Sequence, residues 1–575
     1  MENTMIRISN YDLDINEPIP LDRNEFFTAE FINFETSSLL KLIVKTLSEF
    51  SDKYNRDSGN IGEFINQITA KVLNDKQFEK LSKQSKFLTV ITRENLLYLI
   101  KKILTLKYSG HQHKTKVFGI EEVGKIFLRI NCLYMDVEFG GEKISDNLFP
   151  LLNSSFSSHL FLVNCKLNLG ELLRNYNLML RILETQIGKK ANELFFERYC
   201  INFIDSIFLS YLFYSIFIEK YKLNDYSNVL SKSLIFNFLG KESVLLTDRI
   251  IKFLDRLSDR ENVNFKKDES LFDIYQLWTW PIEKLDDDSY LILDLALIFD
   301  KSFRNPFIFL ESEYLNNEAI KSNKKHLDLR SEILGNVFEN ETKYYFQKVI
   351  SNDQNTPVLK NDEELCDYLV GDNDRLILIE IKAGYLPVKE LYNDIRAEDL
   401  IELIAKKFGW MYDQNKTYTT SSGDKAKGVI QLCKAYKALD QGSVENKLDV
   451  KSWEMIKNAR EIYSIVISQD LVFSAPFLNL GLVTQNLEFC KNMSSESRTY
   501  HPPIIINFDC LHLFIENPTK FVEAISGYLI QIREKELYLS FYDYVVTTYA
   551  EPVQVDILEW KKFVENFNNY VIEEK

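Results

Sequence analysis

Glycine and proline are scarce in this chain, 19 and 12 among 575 residues. Few positions are then available for tight turns and chain breaks, which argues against a loop-rich all-β architecture and favours long helices. Cysteine is sparse as well. The seven thiols form no CxxC pair and their number is odd, so neither a disulfide framework nor a thiolate zinc site is expected. The close pair His111 and His113 has no nearby cysteine to complete a zinc site and reads as a polar turn. The opening MENTMIRISNYDLDINEP has early acidic residues and no apolar core, unlike a secretory leader. Long apolar runs are missing too. Residues 206–218, SIFLSYLFYSIFI, are bracketed by Asp205 and Glu219 and fall short of the roughly 20 residues that a spanning helix needs. A buried core helix, a cytoplasmic chain and no membrane partner are the expectation.

Positive charge is also in deficit. Lys and Arg number 69 against 84 Asp and Glu, a formal net charge of −15 that repels polyanions at long range. Any nucleic-acid binding would have to come from a local basic cleft. The chain has no GxxxxGK[ST] phosphate loop, so unwinding or translocation would need a separate ATPase. Zinc-finger, RNP and helix-turn-helix signatures are lacking, and sequence-specific base readout is not expected.

What is present is apolar and aromatic: 45% hydrophobic residues, 41 Phe and 30 Tyr. A chain of this length is expected to hold more than one core. Residues 36–108 read as helices, with Thr36-Ser37-Ser38 capping one run and a second run over 79–106. Residues 116–136 are richer in β-branched side chains, and 167–222 return to long helix. Residues 257–270 read as a charged surface connection, and Asp286-Asp287-Asp288 as a solvated loop rather than a metal cluster. The polar stretch 316–325 marks the main boundary. It separates a mainly helical N-terminal region, 1–325, suited to docking, dimerisation or sensing, from a C-terminal domain, 326–575, where helices and strands alternate.

The chemistry lies in residues 365–382, LCDYLVGDNDRLILIEIK. Residues 375–382 alternate with period two, placing Ile377, Ile379 and Ile381 on one face and Leu376, Leu378, Glu380 and Lys382 on the other. With 371–374 as a four-residue turn, Val370 pairs with Arg375 and Asp367 faces Leu378. Glu380 is then the diagonal neighbour of Asp367 on the same face, at about 7–8 Å between backbones. Two carboxylates so placed can share a divalent cation, with Lys382 projecting beside them. Hard oxygen donors suit Mg²⁺ or Mn²⁺ and leave positions open for water and phosphate. A lysine there can orient the attacking water and offset negative charge.

Asp367 followed by Glu380-Ile381-Lys382 resembles the D…ExK signature of the PD-(D/E)XK nucleases, the restriction-endonuclease-like superfamily. The likeness extends to Gly335-Asn336-Val337-Phe338-Glu339, similar to a Gly-x-x-Phe-Glu helix in many members, and to Lys427-Gly428-Val429-Ile430-Gln431-Leu432, similar to a helix carrying a glutamine beside the lysine. It covers residues from about 325 to 575. It implies an α/β restriction-endonuclease-like core, a mixed sheet flanked by helices, behind the large helical N-terminal region. It further implies Glu339 as a third acid, with Glu341 as the substitute, and Gln431 as an auxiliary, although the 51 residues from Glu380 to Gln431 exceed the usual spacing. The runs IYSIVIS (462–468) and PIIIN (503–507) fit further core strands, and a helix is expected from Asn517-Pro518 to about Arg533. Lys321, Lys324, Lys325, Lys425 and Lys427, with Arg375 and Lys389, are candidates for phosphate contacts. The resemblance implies a metal-dependent DNA endonuclease, in bacterial defence against phage or plasmids. The alternatives are a non-catalytic scaffold that keeps the fold and an RNA-cleaving effector. A separate ATPase or sensor and self-association are the further partners this reading carries.

Overall fold

The computed structural model describes residues 5–7, 36–56, 69, 79, 87–89, 93–108, 169–240, 243–260, 274–322, 329–349, 366–372, 374–383, 408, 428–443, 450–470, 476–514, 519–535, 540–549 and 557–573. The expected strands in 116–136, the pair His111 and His113, and Lys324, Lys325, Lys389, Lys425 and Lys427 lie outside them.

The N-terminal half is chiefly helical: α1 (Thr36–Arg56), α2 (Arg93–Tyr108), α3 (Leu169–Glu184), α4 (Gln186–Tyr199), α5 (Phe203–Lys222), α6 (Lys232–Leu239), α7 (Val244–Ser258) and α8 (Leu295–Ile308). Two short pairings interrupt it. Strands β1 (Met5–Arg7) and β2 (Phe87–Thr89) pair in parallel, and β3 (Val229–Ser231), β5 (Ser289–Ile292) and β4 (Ile282–Lys284) form an antiparallel sheet in that order. Of the helical run expected over 79–106, Glu79 and residues 93–106 are helical, and β2 lies between them. The apolar run at 206–218 lies inside α5. A capping box starts that helix: the Asn202 side chain accepts from the Asp205 N–H at 2.7 Å, and Asp205 accepts from the Asn202 N–H at 2.9 Å. No single helix among the described residues is long and apolar enough to cross a membrane. Asp286, Asp287 and Asp288 form the exposed turn between β4 and β5, as expected. Of the surface connection expected over 257–270, residues 261–270 lie outside the described residues, and residues 257–258 are the end of α7. Leu257 and Arg260 are buried, with Arg260 donating to the Trp280 carbonyl at 2.6 Å and ion-paired to Glu283.

Beyond α9 (Asn336–Val349) the chain builds its main sheet from β6 (Tyr368–Asp372), β7 (Arg375–Lys382), β8 (Glu461–Ser468), β9 (Thr499–Tyr500) and β10 (Ile504–Asn507). The order is β10-β8-β7-β6, with β9 paired to β8. Strand β6 runs antiparallel to β7, whereas β8 is parallel to β7 and β10 to β8. Helices α10 (Val429–Asp440), α11 (Val450–Asn458), α12 (Pro476–Met493), α13 (Thr519–Lys535), α14 (Phe541–Tyr549) and α15 (Ile557–Glu573) complete the chain. The molecule is thus mostly helical around a mixed sheet flanked by helices.

Both faces of β7 are covered, which is why its inner six residues are buried without interruption. Ile377, Ile379 and Ile381 join Tyr463, Ile465 and Ile467 of β8 in a core shared with Phe338 and Tyr345 of α9 and with side chains of α3 and α13. On the opposite face, Tyr436 of α10 donates to Ser464 at 2.6 Å, and Ser464 is the register partner of Leu378. The outer edge of β10 is closed by a side chain. Asn479 of α12 donates to the Ile505 carbonyl at 2.9 Å and accepts from the Ile505 N–H at 2.7 Å, replacing a further strand.

Residues on both sides of the expected boundary at 325 join one apolar cluster, from Leu172 to Phe567. Buried ion pairs cross it: Arg174 to Asp509 at 2.6 Å, and Arg304 to Asp470 at 2.9 Å. The polar stretch at the boundary begins with a short helix, Asn316–Ser322.

Candidate active site

The β6–β7 hairpin is tighter than the sequence suggested. Gly371 and Asp372 belong to β6 and pair with Leu376 and Arg375, leaving residues 373–374 to close the turn. Two-residue loops match the twist of the strands they join, and the tighter closure adds two rungs to the ladder. The register therefore moves by two from the one expected. Val370 pairs with Ile377, not Arg375, and the last rung is Tyr368–Ile379, so Asp367, just before β6, comes at the level of Glu380 rather than of Leu378. A shift of two preserves the alternation of side chains along the strands.

The surroundings of the two acids differ. Asp367, half-buried, begins the hairpin and accepts from the Ile381 N–H at 2.5 Å. This fixes the carboxylate against the edge of β7 where the ladder ends. Glu380 is 1% exposed, which excludes a solvent-facing acid on an amphipathic strand. It is ion-paired with Lys382, whose side chain is 22% exposed. Burial opposes the charge on Lys382, but the carboxylates of Glu380, Asp367 and Glu339 outweigh it and hold the amine above the ordinary lysine range. Lys382 is thereby kept as an ammonium ion, a donor and a local positive charge rather than a base.

Glu339 comes from α9 in the layer behind the sheet. Its charge reaches Lys382 and also Tyr368, whose phenol is pushed up to about 12 by burial, Glu339 and Asp367. Glu341 is directed elsewhere: it is buried and accepts from Arg181 Nε of α3 at 2.5 Å. Of the two acids offered by this helix, Glu339 is the one gathered to the cluster. Gln431 stands in the first turn of α10, half-buried; this helix packs on β7 and covers the sheet face that carries Glu380. Gly428 precedes that helix with φ +53°, and a Cβ there would lie 2.3 Å from the Phe408 carbonyl oxygen, so only glycine fits. Of the basic candidates, Lys321 is exposed and paired with Glu318 at 3.1 Å, and Arg375 starts β7 half-buried.

Among the described residues no group of three or more His, Cys, Asp or Glu side chains lies close enough to enclose a metal ion. What is gathered instead is a pair of carboxylates with a third acid within electrostatic reach. That donor set suits a hard cation such as Mg²⁺, which is commonly bound by one or two carboxylates and retains several waters. It would not suit zinc, which favours closed nitrogen and sulfur sites.

Arg181 had no signal in the sequence, because its partner lies 160 residues away. Compared with family models, curated proteins and solved structures, the chain matches none.

Proposed function

We propose that this chain is a metal-dependent nuclease that hydrolyses phosphodiester bonds, with DNA as its substrate and a restriction-endonuclease-like core as its catalytic part. The observation that carries this reading is that Asp367 comes at the level of Glu380, one position beyond the last rung of the hairpin, with Lys382 two residues on along β7. The likeness to the D…ExK pattern and the mixed, helix-flanked sheet support it. Asp367 and Glu380 would hold Mg²⁺ or Mn²⁺, with Glu339 assisting. When bound, the cation lowers the pKa of a coordinated water and offsets charge building up on the phosphate.

The protein's own groups have definite tasks in this reading. Glu380, buried and paired, keeps the Lys382 ammonium directed into the cluster. Lys382 donates to a non-bridging phosphate oxygen or to the attacking water and partly neutralises the anion. The Ile381 N–H holds Asp367 in place as an uncharged donor. The overall charge of −15 weakens long-range attraction of DNA, so binding depends on the local cation and on nearby basic side chains. Anti-phage or anti-plasmid defence is the biological role proposed with this chemistry.

The test is cleavage of supercoiled plasmid, linear duplex, single-stranded DNA and RNA with Mg²⁺, with Mn²⁺ and with EDTA, alongside calorimetric titration of Mg²⁺. Cation-dependent cleavage that is lost in Asp367→Asn and Glu380→Gln is the expected result. Absence of cleavage on every substrate, together with no cation binding, overturns the proposal. A non-catalytic scaffold then gains ground, because Asp367 and Glu380 each already have an internal partner and serve to tie the hairpin. Cleavage of RNA but not DNA would instead move the substrate class.

A further inference from the structure

Helices α3 and α9 meet through two matched contacts. Arg181 Nε donates to Glu341 Oε2 at 2.5 Å, and Asn177 Nδ2 donates to the Tyr345 hydroxyl at 3.4 Å. Asn177 and Arg181 are one turn apart on α3, as Glu341 and Tyr345 are on α9. The two pairs run in opposite order, so the helices cross antiparallel with a fixed register. Helix α9 is anchored further, because Phe338 and Tyr345 pack on Phe508 with ring centres 5.5 and 5.2 Å apart. Two residues along a helix turn the side chain through about 200°. An α9 that offers Glu341 to α3 therefore offers Glu339 to the opposite side, where its charge acts on Lys382 and Tyr368.

We propose that Arg181 is a positioning residue for the candidate site: its ion pair with Glu341 sets the rotation of α9 and thereby holds Glu339 against the Asp367, Glu380 and Lys382 cluster. The consequence for cation binding rests on the nuclease reading; the control of α9 does not. The geometry favours this role over a simple surface ion pair. Glu341 is 1% exposed, and a buried carboxylate without its cation is expelled from the interior, which would rotate or loosen the helix that carries it. The N-terminal helical layer is then part of the working site.

The experiment compares wild type with Arg181→Gln, Arg181→Lys, Glu341→Gln and the double variant Arg181→Gln/Glu341→Gln. The last removes the buried charge together with its partner, so it remains folded where the single Arg181→Gln fails. Hydrogen exchange of the peptide covering 336–349 is read with no metal present, and Mg²⁺ affinity and the kcat–KM split are read separately. The expected result is faster exchange in α9 with β8 unchanged, Mg²⁺ binding weakened about 10-fold or more, and recovery of both in Arg181→Lys. Unchanged exchange in α9 of the folded double variant overturns the proposal whatever the metal data show. Faster exchange with unaltered Mg²⁺ affinity also overturns it, since Glu339 would not depend on the pair. If wild type binds no Mg²⁺, the nuclease reading fails, while the exchange data still decide whether Arg181 controls α9.

Discussion

Asp367 comes at the level of Glu380, one position beyond the Tyr368–Ile379 rung, and its carboxylate is pinned by the Ile381 N–H at 2.5 Å. Like charges directly opposite one another on a sheet are destabilising, by up to about 1 kcal/mol. A purely structural hairpin could keep the Ile381 hydrogen bond with an uncharged acceptor at 367. Asparagine at 367 keeps an oxygen to accept from Ile381 and removes the charge. Asp367→Asn is therefore expected to abolish cation-dependent cleavage while leaving the melting temperature unchanged or slightly raised, as at sites where function is kept at the expense of stability. Calorimetric melting without metal checks this, and a clear fall in stability would mark Asp367 as a structural residue.

The face of β7, the alternation around Glu380 and Lys382, and the strands at 461–468 and 504–507 were legible because period-two patterning survives any tertiary context. The hairpin register was not. Gly371 and Asp372 carry turn chemistry in their composition, yet the ladder extends through both, since two extra rungs outweigh local preference. That shift brings the acids closer than the sequence suggested. Between Glu339 and Glu341 the motif likeness pointed to Glu339 and helical phase to Glu341; the contact of Glu341 with Arg181, on a helix far away in the chain, had no signal in the sequence. The polar stretch at 316–325 marked the expected boundary, and contacts such as Arg304 with Asp470, which join residues on its two sides, had no local signal. Composition reports the chain's own neighbourhood and not what packs on it.

Gly428 supplies a second test, directed at α10. Its φ of +53° and the 2.3 Å approach that a Cβ would make to the Phe408 carbonyl leave no room for a side chain. Backbone strain of this kind costs about 1–3 kcal/mol. Gly428→Ala is expected to lower stability by that amount in urea titrations and to displace the first turn of α10, which holds Gln431. If Gln431 assists at the site, kcat falls in the folded fraction as well. A variant with wild-type stability would show that residues 428–429 can rearrange freely.

A third prediction concerns pH. Glu171 and Asp509 share Arg174, with Asp509 at 2.6 Å and Glu171 at 3.3 Å, while Arg304, Asp300 and Asp470 form a second group close by. Burial pushes the Glu171 carboxyl up to about 8 against the pull of Arg174, and Asp509 adds to the rise. Asp509 has the shorter bond to the guanidinium, so the proton resides on Glu171. The folded state then keeps a proton that the unfolded chain has already released above about 4.5. Stability contributed by this group is fully present below that value and is lost as pH rises towards about 8, after which it levels. The chain should be more resistant to urea at pH 5.5 than at pH 8.5, by an amount that Glu171→Gln largely removes. A Glu171→Gln variant that keeps the full wild-type slope would refute the assignment.

The last prediction addresses how the helical layer is joined to the sheet. Arg304 of α8 grips Asp470, just past the end of β8, through two bonds of 3.0 and 2.9 Å, and both residues are buried. Removing one partner of a buried pair strands the other charge and costs about 3–5 kcal/mol, whereas replacing both with apolar side chains of similar size is often neutral. Asp470→Ala should therefore be strongly destabilised even though Arg304 retains Asp300. Arg304→Met combined with Asp470→Leu should recover most of the loss. Because the apolar cluster spans both sides of residue 325, the transition should remain a single one in each variant, whether followed by the fluorescence of Trp278 or by far-ultraviolet dichroism. Two separated transitions in Asp470→Ala would mean that the layers fold as independent units and that the ion pair, rather than the shared core, couples them.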